Sequence, residues 1–360
     1  MFNLNNISLV QFKNYQKAFF DFNERIVGIH GNNGQGKTNL LDAIYYLCFT
    51  RSYFSKSDIQ NVTHGFSGFR LEGTFEREDE QQKLVCILRE TGKKELSLND
   101  EHYDRFSSHI GKFPCVIITP DDSVIITGGS EERRRFLDAL LSQLDKGYLQ
   151  NLIDYNKIMQ QRNRFLKSFA DKQTSDLSLL DVYDQQLVST GQPIFEKRSI
   201  FLKEFLPAAA NSYRKISGTE ESVELFYESQ LHRESYSELM KRHRERDMIL
   251  QRTGIGPHKD DLELRLEEQQ FRQIASQGQR KSLLFALKLA EYEFLKSSKG
   301  WSPILLLDDV FEKLDALRMH NLLEWVCIQN EGQVFLTDTH KERIIHHMGQ
   351  LSTHNQLIAL

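Results

Sequence analysis

Hydrophobic residues change their period along this chain, and the changes mark out its elements. From Phe2 to Phe22 they alternate in places (Ile7, Leu9, Phe12, then Ala18, Phe20, Phe22), which predicts two strands around a turn at Lys13-Asn14-Tyr15. Arg25 to His30 reads as a short buried strand, and Lys37 to Ile44 opens a run with helical spacing. Phe69 to Phe75 and Lys83 to Leu88 alternate between polar turns, as an antiparallel meander does. Cys115-Val116-Ile117-Ile118-Thr119 is a compact apolar run stopped by Pro120, which predicts a central strand with Asp121 and Asp122 placed to cap a helix behind it. From Ser130 to Met248 the period is helical, with a polar break from Asp171 to Ser178, and with Gly191 and Pro193 marking a kink or a boundary. Lys146-Gly147 interrupts the spacing, so packed helices fit better than a coiled coil. Strands return at Leu262–Leu266, Ile304–Leu307 and Val334–Thr337, with a helix from Lys281 to Leu295. The expected architecture is α/β, with a mixed sheet and an antiparallel β subdomain. That domain is split over residues 1–129 and 249–360, with a helical lobe of residues 130–248 inserted.

Composition narrows the classes. Apolar residues are 39% of the chain, with 24 Phe, enough for a sizeable core. A formal net charge of −4 gives no whole-molecule attraction for nucleic acid or an anionic membrane, so any basic surface is local. Cys48, Cys86, Cys115 and Cys327 lie far apart without zinc spacing, as reduced thiols of a cytosolic protein would. No apolar run approaches the ~18 residues of a membrane span, and the N-terminus lacks a signal pattern. A soluble, cytoplasmic protein with no membrane partner is expected.

Gly31-Asn32-Asn33-Gly34-Gln35-Gly36-Lys37-Thr38 fits the phosphate-binding pattern G-x-x-x-x-G-K-[ST], with a strand before it and a helix after it. That order points backbone N–H groups and a helix N-terminus at phosphate. Glycines let the backbone close on the β-phosphate, Lys37 reaches the β- and γ-phosphates, and the Thr38 hydroxyl can hold Mg²⁺. The expected ligand is a nucleoside triphosphate.

Ile304-Leu305-Leu306-Leu307 ends in Asp308-Asp309. A carboxylate at such a strand end would hold Mg²⁺, which assigns Asp308, and its neighbour Asp309 would orient or deprotonate the attacking water. One helix and one strand upstream, Ser276-Gln277-Gly278-Gln279-Arg280 opens the Lys281–Leu295 helix, a Ser and Gly nest of the kind that binds anions. This resembles the signature motif of the ATP-binding-cassette superfamily, which closes on the γ-phosphate held by another subunit. Leu314-Asp315 matches the end of a D-loop. Many cassettes place a histidine where this chain has Asp338, with His340 two residues on, so a standard histidine switch is not expected.

The phosphate loop and the signature are far apart in sequence, unlike a transporter cassette, and the long coiled coils of chromosome-maintenance ATPases are absent. Taken with Leu9 to Tyr15, Pro120-Asp121-Asp122, Glu132-Arg133-Arg134-Arg135-Phe136-Leu137-Asp138, Gly256-Pro257-His258-Lys259-Asp260-Asp261 and Leu307 to Asp315, the chain resembles the RecF family of bacterial recombinational repair along nearly its whole length. The resemblance implies a P-loop ATPase head that binds ATP, Mg²⁺ and DNA, at single-strand gaps or in duplex form. It further implies dimerisation when ATP is sandwiched between Gly31–Thr38 with Asp308 and Asp309 of one copy and Ser276, Gly278 and Asp315 of the other. Slow hydrolysis would act as a timer, with Lys37, Asp308 and Asp309 as the catalytic set. RecR and RecO partners, and RecA indirectly, would connect it to gap repair and the SOS response in a nucleoid-associated cytoplasmic role.

Other residues keep two readings. Lys13, Asn14 and Tyr15 form either a surface hairpin turn or a contact to a phosphate or purine. Arg162/Arg164/Lys167, Lys197/Arg198/Lys203 and Lys241-Arg242-His243-Arg244 are either solvated helix faces or a phosphate-tracking DNA surface. Gly256 to Asp261 is either a tight turn or, through His258 or Lys259, part of a nucleotide or DNA face. The competing functions are a structural ATPase head of a chromosome-organising complex and a P-loop phosphotransferase or nuclease.

Overall fold

Alternation and helical spacing resolve into three sheets in the computed structural model, which describes residues 1–172, 177–218, 221, 223–309, 316–350 and 354–360. In chain order the first elements are β1 (Phe2–Phe12), β2 (Tyr15–Asp21), β3 (Ile26–His30), α1 (Lys37–Phe49), β4 (Phe69–Arg77), β5 (Glu80–Leu88), β6 (Lys94–Leu98), β7 (Glu101–His102) and β8 (Cys115–Ile118). Then come α2 (Ser123–Thr127), α3 (Ser130–Leu144), α4 (Lys146–Lys172), α5 (Ser178–Ser217), β9 (Val223–Glu228), α6 (Tyr236–Leu250), β10 (Asp261–Leu266) and β11 (Gln269–Gln270). The last are α7 (Phe271–Ile274), α8 (Gln277–Lys299), β12 (Ile304–Leu307), α9 (Ala316–Glu324), β13 (Val334–Asp338), α10 (Lys341–Gln350) and β14 (Gln356–Ala359).

The chain divides into two compact units. One comprises residues 1–123, 211–220 and 276–360; the other comprises 124–210 and 221–275. In the first unit a parallel five-stranded sheet runs β14-β3-β13-β12-β8, and a separate antiparallel sheet runs β2-β1-β4-β5-β6-β7. Parallel strands must be covered on both faces, which is why β12 and β8 are uninterrupted apolar runs with every residue buried. Antiparallel β4 instead alternates buried and partly exposed positions. Helix α1 is buried along nearly its whole length, because Leu40, Ile44 and Leu47 join one core with Leu9 and Leu71 of the antiparallel sheet and with Leu306 and Phe335 of the parallel one. Each such fully buried side chain contributes ~1.5–3 kcal/mol. All four cysteines are buried, and none is in a disulfide. Among the described residues no helix is long and apolar enough to cross a membrane.

The second unit is helical, with a small antiparallel sheet ordered β11-β10-β9. Its bounds differ from the expected 130–248. Strand β10 pairs with β9 from Asp261↔Glu228 to Leu266↔Val223, and Arg133 of α3 holds Asp261, so residues 249–275 fold with the helices. Sequence distance hid that pairing. Helix α5 runs unbroken through Gly191 and Pro193, so they mark no boundary of the helix. A buried stripe at Leu187, Ile194, Leu202, Phe205 and Ala209 keeps it helical despite the lost donor at proline, since tertiary packing supplies most helical stability. Two of the charge clusters also need correction. Arg162 is fully buried against Asp184 (2.7 Å) and Asp247 (2.7 Å), and Arg198 is buried against Asp138 (2.6 Å), Asp260 (3.0 Å) and Tyr148 (2.9 Å). Neither arginine lies on a solvated face or a DNA surface, because each sits where several acidic groups converge inside the helices.

Candidate functional site

Strand β3 is fixed between β14 and β13, and the chain leaves its carboxyl end into the glycine loop, where ligands bind in parallel sheets. Asn32, Asn33, Gly34 and Gln35 are exposed at this edge. Gly36 opens α1 with φ 115°, a left-handed conformation costly for any residue with a Cβ, and such an atom would lie 2.6 Å from Asn14 Nδ2. Within the loop, the Lys37 ammonium donates to the carbonyls of Gly31 (2.7 Å) and Asn32 (3.3 Å), and the Gln35 carboxamide oxygen accepts the Asn32 N–H at 2.5 Å. The Lys37 ammonium and the Asn32 N–H are therefore satisfied within the loop itself.

The first turn of α1 meets the end of β12. Thr38 Oγ1 donates to the Asp308 carboxylate, 3.0 and 2.9 Å from its two oxygens, and Thr337 Oγ1 at the end of β13 donates to Asp308 Oδ1 at 2.9 Å. The Asp308 N–H donates to Ile118 O at 2.9 Å, so three neighbouring strands hold this residue in place. Burial raises the Asp308 carboxyl to about 6; the hydroxyls of Thr337 and Thr38 and the Lys37 ammonium oppose the shift, while neighbouring Asp309 adds to it. Asp309 leaves the strand with φ 44°, a left-handed conformation that Asp tolerates, and its N–H donates to Thr337 Oγ1 at 2.9 Å. Thr337 was not anticipated as a site residue. Its signal was its position at the tip of the next apolar strand, but only the strand order β13-β12 turns that into contact.

A hydroxyl and a carboxylate brought together by two elements form a hard-oxygen donor set of the kind Mg²⁺ takes, leaving its other positions to phosphate and water. The buried Asp308 carboxylate, beside two hydroxyls, fits a cation.

The turn between β1 and β2 clamps this loop. Asn14 Nδ2 donates to Gln35 O (3.0 Å), Asn39 Nδ2 donates to Asn14 Oδ1 (2.7 Å), and the Tyr15 hydroxyl donates to Gly36 O (3.1 Å). Lys13 is drawn elsewhere: its ammonium pairs with buried Asp42 at 2.5 Å and lies over the Phe54 ring. Asn14 and Tyr15 thus border the loop, whereas Lys13 anchors the turn to α1.

Helix α8 begins with a reciprocal cap. Ser276 Oγ accepts from Gln279 N–H (3.2 Å), and Gln279 Oε1 accepts from Ser276 N–H (2.7 Å), which orders the first turn. Gly278 leaves room for Arg318 of α9, whose Nη1 would lie 2.1 Å from a Cβ at 278. That arginine was missed, because nothing in sequence links it to the helix start. Asp315 lies outside the described residues. Asp338 is buried and accepts the His340 N–H at 2.7 Å while pairing with Arg343 at 3.3 Å, so this carboxylate organises the turn after β13. Asp122 joins Thr119 in a capping box and also accepts the Tyr53 hydroxyl, as the capping reading expected.

The model for the RecF/RecN/SMC N terminal domain matches residues 3–357. A DNA replication and repair protein RecF from Flavobacterium johnsoniae is 46% identical, with 94% of this chain and 95% of that protein covered. One from Bacteroides thetaiotaomicron is 41% identical, covering 95% and 92%. Among solved structures, the recombination mediator protein RecF with ATP, of the RecFOR pathway, superimposes with a TM-score of 0.87 at 30% identity over 94% of this chain and 92% of that one. An Smc head domain from Pyrococcus furiosus shares the fold, with a TM-score of 0.57 at 16% identity, covering 96% and 91%.

Proposed function

This chain belongs to the RecF family, and from that premise we propose that it is an ATP-dependent DNA-binding protein of recombinational repair and replication, dimerising on ATP and using slow hydrolysis as a timer. The observation that carries the reading is the junction of Thr38, Asp308 and Thr337, which ties the glycine loop to the carboxylate strand end. The ATP-bound relative supports ATP as the ligand. Residues 1–123, 211–220 and 276–360 form the ATPase head in this reading, and the helical unit is its second lobe.

On binding, Lys37 exchanges the Gly31 and Asn32 carbonyls for the β- and γ-phosphates, and the freed loop N–H groups take phosphate oxygens. Thr38 and Asp308 would hold Mg²⁺, and the ion would supply positive charge beside the phosphate oxygens. Asp309 orients the attacking water and accepts its proton. One copy leaves the γ-phosphate facing solvent, so Ser276, Gly278 and Asp315 of a second copy complete the site and exclude water. Dimer stability then depends on the γ-phosphate, which makes ATP the switch. RecR and RecO-type partners, loading of RecA at single-strand gaps and SOS induction belong to the same reading, and the relative's place in the RecFOR pathway supports the first two partners. The protein acts in the cytoplasm, at the nucleoid.

Molecular mass in solution tests this. A dimer is expected with ATP·Mg²⁺ but not with ADP, and a Ser276→Arg variant should stay monomeric while still binding ATP. A monomer under every condition would remove the switch.

A further inference from the structure

The segment Gly256-Pro257-His258-Lys259-Asp260-Asp261 is built with unusual rigidity. Gly256 has φ 128° and faces two phenols: a Cβ there would lie 2.2 Å from the Tyr236 hydroxyl and 2.4 Å from that of Tyr155. The Pro257 carbonyl accepts from Arg198 Nη1 at 2.7 Å. His258 donates from Nε2 to Thr253 O (3.0 Å) and accepts the Tyr155 hydroxyl proton at Nδ1 (2.6 Å). Burial lowers its pKa to about 4, so it is neutral and fixed in this one tautomer. The Asp260 carboxylate accepts from Arg198 (3.0 Å) and the Tyr227 hydroxyl (2.5 Å), and its carbonyl accepts from Arg134 (2.6 Å). Asp261 takes a two-pronged bond from Arg133 (2.7 and 3.0 Å). Five of the six residues are thus committed inward. Lys259 is exposed and has no charged partner among the described residues.

What surrounds Lys259 indicates its ligand. It lines a cleft of about 370 Å³ in the helical unit together with Arg233, Arg242, His243, Glu228 and Glu234. Arg242 and Glu234 neutralise each other at 2.6 Å, and Asp261 at the cleft wall is neutralised by Arg133. Arg233 is exposed and, like Lys259, lacks a charged partner among the described residues, which leaves two free cations against the single carboxylate of Glu228. No Phe, Tyr or Trp lines the cleft among the described residues, so it offers no stacking platform for a base. Charge without stacking selects a phosphodiester over a base or a purine nucleotide.

We propose that the rigid Gly256–Asp261 turn exists to present Lys259, with Arg233, as a contact for the phosphate backbone of DNA, made without regard to base sequence. The inference rests on the DNA-binding reading given above and names the residues of that surface. A rigidly held lysine loses less side-chain freedom at its stem on contact, and it releases one condensed counterion per phosphate.

The test uses the full chain with ATP·Mg²⁺ and a short DNA duplex, titrated from about 50 to about 200 mM salt. Lys259→Gln should lower the slope of log affinity against log salt by ~0.9, so that its deficit against the parent is about 3-fold larger at the low-salt end. The deficit should be the same on A·T-rich and G·C-rich duplexes, and Lys259→Arg should restore the slope. Melting temperature and ATP-dependent dimer mass should not change in either variant. An unchanged slope in Lys259→Gln, while the parent binds DNA, overturns the site alone. A lost dimer with an unchanged slope would place Lys259 at a protein interface and also overturn it. If the parent chain does not bind DNA at all, the parent reading itself fails.

Discussion

Two buried arginines of the helical unit and the Lys37 and Asp308 pair of the sheet unit hold their charge in opposite ways. In the helical unit Arg198 is enclosed with four partners from its own unit, and Arg162 joins Asp184, Asp247 and Thr253. In the sheet unit, buried Lys37 and Asp308 lie beyond the carboxyl ends of β3 and β12, and the side-chain hydrogen bonds they make among the described residues go to loop carbonyls and two hydroxyls. A charge paired with buried carboxylates of its own unit serves architecture. One making do with carbonyls and hydroxyls is poised for a ligand. The difference teaches how to separate structural from functional charge where burial alone does not.

Three changes would sharpen or break that contrast. The largest effect is expected for Arg198→Met, which leaves Asp138 and Asp260 without their cation. Removing one member of a buried pair costs about 3–5 kcal/mol, so native-state amide exchange should show α3 and α4 opening more easily by that amount while α1 is unchanged. A cost under about 1 kcal/mol would mean the arginine is not architectural.

Asp308→Asn should act in the opposite sense. Its folded pKa of about 6 lies above the usual carboxylate value, so the acid form is favoured on folding. That contribution is present below about pH 4 and is lost as pH rises through 6. Without nucleotide and Mg²⁺, the variant should match the parent near pH 4 and exceed it by about 3 kcal/mol at pH 7.5, read as urea midpoints. ATP-dependent dimerisation should nevertheless be lost. A variant less stable than the parent at pH 7.5 would make Asp308 architectural.

The smallest effect belongs to Arg135→Gln. This residue stands in one triplet with Arg133 and Arg134 but pairs on the surface with Glu131 at 2.5 Å and Glu132 at 3.2 Å. Exposed pairs one helical turn apart contribute about 0.3–0.5 kcal/mol, so thermal unfolding should barely move. A larger loss would show that surface and interior arginines here cannot be told apart by their partners.

That triplet also shows where sequence reading stops. The glycine loop, Lys37, Thr38 and the Asp308 strand end were legible because their geometry is set by adjacent residues and by runs of one period. Arg133, Arg134 and Arg135 look alike in sequence. They diverge because β10 returns beside α3, giving Arg133 the Asp261 carboxylate and Arg134 the Asp260 carbonyl. The same non-local pairing moved the lobe boundary and sets Arg198 between Asp138 and Asp260, while Arg162 is buried by residues of α5 and α6 that are also distant in sequence. Thr337 and Arg318 escaped notice for the same reason: their partners are set by strand order and helix packing rather than by spacing.

The carboxamide of Gln35 gives the loop a built-in competitor. Its oxygen holds the Asn32 amide while Lys37 is occupied by the Gly31 and Asn32 carbonyls, so an arriving anion must displace these internal bonds to reach those two donors. The loop therefore carries, in its own carboxamide and carbonyls, groups that stand in for a ligand at two of its donors.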